Sequence, residues 1–239
     1  MESTRAQRIN AGLSLLFAPG ARPGLEALRT GLDACQTEAT IVHSDEAHGV
    51  ADVIVSGLVF EVDGLLPAAA MEAGSGPDNT APPADWEAVR MFPGHASSGG
   101  LAMAPVSRAL LALAAELAGH LTVQAVQWHP ARTTIEAAVF SRSVLAWLAG
   151  GAFPAPGLVA LTQLVDGSVV SRGLAHFAGQ EVTLRQMSEA HGVKLAAQIV
   201  DRMVREGPLD ELTRWRVGGT LVNAEPAREA KQVLVWAAE

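Results

Sequence analysis

Short apolar runs and stretches of helical periodicity alternate along the first half of the chain. Leu25, Leu28 and Leu32 recur at the spacing that places side chains on one face of a helix. Runs rich in valine, isoleucine and phenylalanine, bounded by proline, glycine or polar residues, indicate strands. The predicted elements are a strand at 13–18, a helix opened by Pro23, strands at 40–43 and 53–62, an apolar helix at 105–117 and a strand at 123–128.

This β-α-β-β-α-β order is that of the ferredoxin-like arrangement, an antiparallel sheet with two helices on one face. In the second half, helices are predicted at 135–148 and up to Arg205, with strands around them. Asp166-Gly167, between β-rich runs at 158–165 and 168–176, is a strong hairpin signal. The sequence therefore predicts an α+β fold with antiparallel sheets and helices on one face. We expect a ferredoxin-like half at 1–128 and a related half at 129–239, packed as one compact unit.

The composition and net charge of the chain exclude or disfavour several classes of protein. Hydrophobic residues make up 49% of the 239 residues and charged residues 18%, which excludes intrinsic disorder. Acidic residues number 25 and basic residues 17, giving a net charge of −8. An acidic surface repels phosphate backbones, so we expect no nucleic-acid partner. The single cysteine, Cys35, and the lack of an apolar targeting segment predict a soluble, cytoplasmic protein with no membrane partner.

The common cofactor and nucleophile signatures are missing from the sequence. No GxGxxG follows a predicted strand, and GxxxxGK[ST], HExxH, CxxC and GxSxG do not occur. One cysteine excludes a cysteine-rich zinc site. We therefore expect no cofactor.

The segment after Trp128 joins a predicted strand to a predicted helix and carries a candidate for acid–base chemistry. An imidazole such as that of His129 ordinarily titrates near neutral pH. Arg132 and Glu136 are four residues apart and would share one helix face if the helix starts early. In the structural alternative, Trp128 packs in the core, His129 caps the turn and Arg132 pairs with Glu136.

A second candidate segment surrounds Gly179, where a glycine allows a sharp turn or a close approach to a ligand. The structural alternative there is a β-bulge or tight turn with exposed polar side chains. Combining the two segments, the candidate catalytic residues are His129, Arg132 and Glu181, and the candidate ligand-binding residues are Trp128, His176 and Gln180. We predict that the three catalytic candidates share one concavity.

The densest group of potential metal ligands is His43, Asp45, Glu46 and His48. Imidazole and carboxylate together suit zinc or iron. The spacing matches no known ligand pattern, and the alternative is a solvated polar loop between two strands. His43, Asp45 and His48 are therefore weak candidates for a metal site.

Two segments of the second half resemble the bacterial domain-of-unknown-function family 4261. One is LTVQAVQWHPARTTIEAAVF at 121–140, and the other is GLAHFAGQEVTL at 173–184, followed by a long helix and Gly207-Pro208. The family's usual Gly-Leu-Pro is replaced here by Ala178-Gly179-Gln180. The resemblance is best over the last 120 or so residues. It implies a bacterial protein of that fold and implies no particular activity.

Three hypotheses of function follow. The first is a non-enzymatic protein-binding or accessory module, with a protein partner or a homodimer, because the apolar helix at 105–117 is either deeply buried or covered by a partner. The second is a small-molecule enzyme that uses His129 with a nearby carboxylate as acid and base. The third is a metal-binding protein that uses the loop from His43 to His48.

Overall fold

Two sheets, each with its own helices, make up the chain. The structure, a computed structural model, describes residues 4–66, 83, 85–100, 103–185, 189–227 and 231–238. Its contacts divide the chain into two units. The first comprises Met1–Leu101 and Pro105–Gly151, and the second comprises Ala102–Ala104 and Ala152–Glu239.

The first unit is built on a seven-stranded sheet. Its strands are β1 (Leu13–Phe17), β2 (Ala39–Asp45), β3 (Val50–Val55), β4 (Leu58–Asp63), β5 (Glu87–Pro93), β6 (Ala125–Trp128) and β7 (Thr133–Glu136). Its helices are α1 (Arg5–Asn10), α2 (Leu25–Ala34), α3 (Ala104–His120) and α4 (Ala137–Leu148), with a 3₁₀ turn at His95–Gly100. The strand order is β2-β3-β4-β5-β1-β6-β7, and each neighbouring pair is antiparallel.

Successive side chains of β1 point to opposite faces of this sheet, and the two faces differ. Leu15 lies opposite Val89 of β5 and Val126 of β6, and all three are buried, which marks an apolar face. Ser14 lies opposite Arg90 and Gln127, which places polar side chains on the other face. The two faces therefore differ in chemistry at the centre of the sheet.

The apolar helix predicted at 105–117 is α3, and it is buried. Six of its side chains have no exposed surface: Leu110, Leu111, Leu113, Ala114, Ala115 and Leu117. Burial within the chain accounts for the apolar composition without a partner. In the part of the chain that the structure describes, no helix combines the length and hydropathy needed to cross a membrane.

The α+β class with antiparallel sheets is confirmed, and the first unit has more strands than the predicted β-α-β-β-α-β order. The run predicted as one strand at 53–62 is two strands, β3 and β4. Ser56 and Gly57 between them both adopt positive φ, 51° and 77°, which reverses the chain as in a type I′ turn. β5 has no predicted counterpart. Four strands rather than two therefore lie between α2 and α3.

The second unit is built on a six-stranded sheet. Its strands are β8 (Ala160–Gln163), β9 (Val169–Arg172), β10 (Glu181–Leu184), β11 (Thr213–Val217), β12 (Thr220–Pro226) and β13 (Gln232–Ala237). Its helices are α5 (Ala155–Leu158), α6 (Ala175–Ala178) and α7 (Glu189–Glu206). The hairpin predicted at Asp166-Gly167 is confirmed, because β8 and β9 pair in antiparallel fashion around it.

The strand order of the second sheet is β11-β12-β13-β10-β9-β8. β13, the last described strand along the chain, therefore lies in the middle of the sheet. It pairs antiparallel with β12 and parallel with β10. Each of these neighbours completes its ladder only when β13 is in place.

The boundary between the units follows Gly151 rather than residue 128. β6, which ends at Trp128, pairs with β7 in register from Ala125 opposite Glu136 to Trp128 opposite Thr133. Residues 129–151 thus belong to the first unit, because they supply β7 and α4.

Candidate functional site

A group of charged side chains, the outer-face cluster, lies on the polar face of the first sheet. It consists of Arg5 and Arg8 of α1, Glu61 and Asp63 of β4, and Arg90 of β5. Arg5 Nη2 lies 2.9 Å from Glu61 Oε1 and 2.6 Å from Asp63 Oδ2. Arg8 Nη1 donates to Glu61 Oε2 at 3.0 Å, and Arg90 Nε donates to Asp63 Oδ1 at 2.8 Å. These bonds join α1 to the sheet.

Phe92 of β5 provides the apolar part of the same contact. The guanidinium carbons of Arg5 and Arg8 each lie 5.4 Å from the centroid of its ring, within cation–π range. Arg8 also donates to the carbonyl of Pro93 at 3.2 Å. Ion pairs and cation–π contacts therefore both hold α1 against the sheet.

His129 lies beside the outer-face cluster, immediately after β6. Its Nδ1 is 2.7 Å from the carbonyl oxygen of Ile9, which only accepts, so Nδ1 carries the proton. Its Nε2 then accepts from the hydroxyl of Ser14 at 2.9 Å. Burial lowers the pKa of His129 below its ordinary value, and the charge of Arg90 acts in the same direction. The imidazole is therefore neutral at pH 7.

A neutral imidazole that accepts from a serine hydroxyl has the chemistry of a base beside a nucleophile. Ser14 is only 4% exposed, however, and both ring nitrogens of His129 already have partners. The Ile9 carbonyl belongs to α1, so His129 also ties that helix to the sheet. The geometry matches the role of an anchor for α1 more closely than that of an open active site.

Trp128 and Arg132, the other candidates of this segment, lie in different surroundings. Trp128 is fully buried in the core. Arg132 is exposed and adopts positive φ, 56°, in the turn before β7. The expected helical pairing of Arg132 with Glu136 is wrong, because residues 133–136 form a strand and the helix begins only at Ala137.

Glu181 belongs to the second unit, where its carboxylate organises a turn. It accepts from Ser171 Oγ at 2.6 Å and from the backbone N–H groups of Gly173, Leu174 and Ala175 at 2.8, 3.2 and 3.1 Å. These bonds hold the segment that leads from β9 into α6. That His129, Arg132 and Glu181 share one concavity remains a prediction.

The remaining candidates of that segment are also held by structural contacts. The amide of Gln180 donates to the carbonyl of Leu209 at 2.9 Å and accepts from its N–H at 2.7 Å. His176 lies in the single turn of α6, and Gly179 ends that turn with φ of 75°. Gln180 thus links the start of β10 to the chain that follows α7.

The loop predicted from His43 begins only after Asp45, because His43 and Asp45 lie on β2 and His48 lies in the turn that leads to β3. Asp45 Oδ2 lies 2.7 Å from His48 Nδ1, and this hydrogen bond lowers the pKa of Asp45. Among the described residues, no group of three or more histidine, cysteine, aspartate or glutamate side chains is placed to hold a metal ion. The geometry of His43, Asp45 and His48 therefore does not support the metal hypothesis.

The edge of the first sheet carries an open recess between α2 and β2. It has a volume of about 440 Å³ and is lined by Arg29, Leu32 and Asp33 of α2 and by residues 39–44 of β2. β2 is the end strand of the sheet and pairs only with β3 among the described strands. A register shift between Ile41 and His43 leaves Val42 55% exposed.

A second recess of about 340 Å³ adjoins the first. Ser44 lines the first recess, and the next residue, Asp45, lines the second. On α2, Arg29 of the first recess and Glu26 of the second lie one turn apart. Leu65 and Leu66 also line the second recess. We call the two recesses together the edge groove.

Gly49 shapes the end of the edge groove, where the β2–β3 turn meets the chain after β4. Its φ is 64°, and a Cβ atom there would lie 2.7 Å from the backbone nitrogen of Leu66. Leu65 N–H donates to the Gly49 carbonyl at 3.0 Å. Only glycine fits this close approach without displacing Leu66.

No family model, curated protein or solved structure matches this chain. The resemblance of the second half to domain-of-unknown-function family 4261 therefore stays a prediction, and function has to be inferred from the geometry.

Proposed function

We propose that the chain is a non-enzymatic protein-binding module that receives its partner in the edge groove. The observation that supports this most directly is the groove itself. An edge strand has backbone groups that its own sheet does not use, and a partner segment can pair with them. The seven residues of β2 correspond to a span of about 20 Å, enough for an extended segment of similar length.

The side chains of the groove suit such a partner. Leu32 lines the first recess and is 5% exposed, while Val42 of the same recess is 55% exposed. Extended ligands combine backbone hydrogen bonds with pockets for alternate side chains. Binding of an extended segment at a sheet edge uses exposed apolar side chains next to backbone N–H and C=O groups that no neighbouring strand pairs with.

A second candidate function is acyl transfer by Ser14 with His129 as base, favoured by the hydrogen bond between them and the lowered pKa of the imidazole. A fluorophosphonate probe, which labels activated serine hydroxyls, distinguishes the two functions. We expect no adduct on Ser14 by mass spectrometry, because the hydroxyl is buried. An adduct that disappears in Ser14→Ala would favour the enzyme.

Selection of a random twelve-residue peptide library on phage tests the binding proposal. We expect selected peptides to bind the wild-type chain and to lose binding to Val42→Trp, whose larger side chain occupies the groove. Leu212→Trp is the matched control, because Leu212 is similarly exposed, 60%, and lies in the second unit. Failure to select binders, or equal binding to Val42→Trp, would contradict the proposal.

A further inference from the structure

We infer that the partner segment is basic, with lysine or arginine side chains alternating with apolar ones along an extended backbone. This inference rests on the proposed function and adds the chemistry of the partner. It follows from the charges and the apolar side chains that the edge groove presents along its length.

Carboxylates dominate the charged side chains of the groove. Asp33 lines the first recess, and Glu26, Asp45 and Glu46 line the second, against the single guanidinium of Arg29. Glu26 and Asp33 lie on α2, Asp45 ends β2, and Glu46 follows it in the turn, so three of the four carboxylates face each other across the second recess. The position of His43 on β2 adds at most one positive charge.

These carboxylates remain accessible to a partner. Glu26, Asp33 and Glu46 are exposed. Asp45 accepts a hydrogen bond from His48, which lowers the pKa of its carboxyl, and its side chain is still 43% exposed. Charges at the rim of a binding site steer an oppositely charged partner and set its register, and they discriminate against acidic segments.

Apolar surface is concentrated in the second recess of the groove, whereas the exposed surface of the first recess is mainly polar. Leu25, Leu32, Ile41, Val50, Leu65 and Leu66 line the two recesses. Successive side chains of an extended segment point to opposite sides, at a period of two. A segment that places apolar side chains into the groove therefore directs the intervening ones toward the carboxylates. Lysine or arginine at those positions complements these carboxylates.

The phage selection gives a direct readout of this chemistry. We expect the selected peptides to carry lysine or arginine at alternate positions and a net positive charge. Synthetic peptides of the selected sequences, titrated by calorimetry, should bind several-fold more weakly at 500 mM than at 50 mM sodium chloride, because salt screens exposed charges.

The paired variant Asp33→Asn with Glu46→Gln removes two of the rim charges. We expect it to weaken peptide binding by about tenfold at 50 mM salt, since each exposed pair contributes modestly. The matched control is Asp210→Asn with Glu211→Gln, which removes two exposed carboxylates from the second unit. The control should bind like wild type, and both variants should keep the wild-type melting temperature.

The possible results distinguish failure of the basic-partner inference from failure of the proposed binding function. Selected peptides that bind at Val42 but are neutral or acidic would overturn the basic partner and leave the binding module intact. Failure to select any peptide would overturn both. A wild-type dimer in light scattering that Val42→Trp converts to a monomer would show that a second copy of the chain occupies the groove, and would also overturn the inference.

Discussion

At His129, hydrogen bonding and burial together determine how the residue acts. The carbonyl of Ile9 fixes the proton on Nδ1, and the hydroxyl of Ser14 occupies Nε2. Burial lowers the pKa of the imidazole, so the folded chain holds it neutral. Its two hydrogen bonds join α1 to the sheet. The neutral form of the imidazole therefore stabilises the first unit.

We expect the stability contributed by His129 to depend on pH. Its pKa in the folded chain lies below the ordinary value of 6.5, so the unfolded chain binds the proton more readily. The contribution is present above about pH 6.5 and is lost as the pH falls below that value. Urea unfolding between pH 5 and 7.5 should therefore show a shallower pH dependence for His129→Gln than for wild type.

His120→Gln is the control for this measurement, because it removes an exposed imidazole at the end of α3. At pH 7, His129→Gln should also lower the free energy of unfolding by about 1–3 kcal/mol, since it disturbs two hydrogen bonds of partly buried groups. Identical pH slopes for wild type and His129→Gln would show that the imidazole is not held neutral by the fold.

The turn between β3 and β4 offers a second test of a single residue. Ser56 adopts φ of 51°, a conformation that asparagine tolerates better than serine. Ser56→Asn should raise the free energy of unfolding by a few tenths of a kcal/mol, and Gly57→Val should lower it by about 1 kcal/mol or more. An unchanged melting temperature in Gly57→Val would contradict the type I′ geometry.

Among the elements, α3 shows how the apolar composition of a helix corresponds to the burial of its side chains. Its side chains at 110, 111, 113 and 117 have no exposed surface, so the helix lies within the core of the first unit. Close packing leaves no room for a charge there, and an unpaired carboxylate has no partner to offset its desolvation.

We expect Leu113→Asp to unfold or aggregate the protein, because an unpaired buried carboxylate costs several kcal/mol. The milder Leu113→Ala should lower the free energy of unfolding by about 2–5 kcal/mol. Ala146→Asp places the same charge on an exposed position of α4 and serves as the control. A cooperative melt of Leu113→Asp within a few degrees of wild type would show that Leu113 is exposed.

Local patterns in the sequence account for the elements that were predicted well. The leucine spacing of α2, the apolar run of α3 and the Asp166-Gly167 hairpin each need only neighbouring residues. The single strand predicted at 53–62 is wrong because the β-rich residues on both sides of Ser56-Gly57 outweigh the turn signal that Gly57 supplies. The helix predicted from 135 begins two residues later, at Ala137, because Ile135 and Glu136 pair with β6 as part of β7.

The candidate sites also combine residues that local sequence identifies with partners that lie far away along the chain. His129 was identified from its residue type, but its partners Ser14 and Ile9 lie 115 and 120 positions away. Asp63 and Arg90 become its neighbours only through the register of the sheet. The polar residue in the LSLLF run of β1 was the one local signal for Ser14. The edge groove depends on strand order, which local patterns do not determine.

At the scale of the whole molecule, the chain consists of two units with separate sheets. All the described strands of the first sheet precede Gly151, and those of the second follow it. Each described buried strand therefore finds its partners within its own unit. This arrangement is what allows a single unit to be tested alone.

We expect a chain that ends at Gly151 to fold, because it retains every described strand of the first sheet together with α3 and α4. Circular dichroism should show mixed α and β structure, and heating should give one cooperative transition. Absence of a cooperative transition would show that the first sheet depends on residues beyond 151. The full-length chain, melted under the same conditions, is the reference.

The central position of β13 has a consequence for the order in which the chain is made. Domains fold as their residues emerge during synthesis, at roughly 5–20 residues per second. β8 to β10 and β11 to β12 emerge first, yet the strand that joins them, Gln232–Ala237, is translated last of all the described strands. Until then, the nascent chain presents two partial sheets with unpaired edges, the form that molecular chaperones recognise and that aggregates. A premature stop codon before residue 232 would make this transient state permanent.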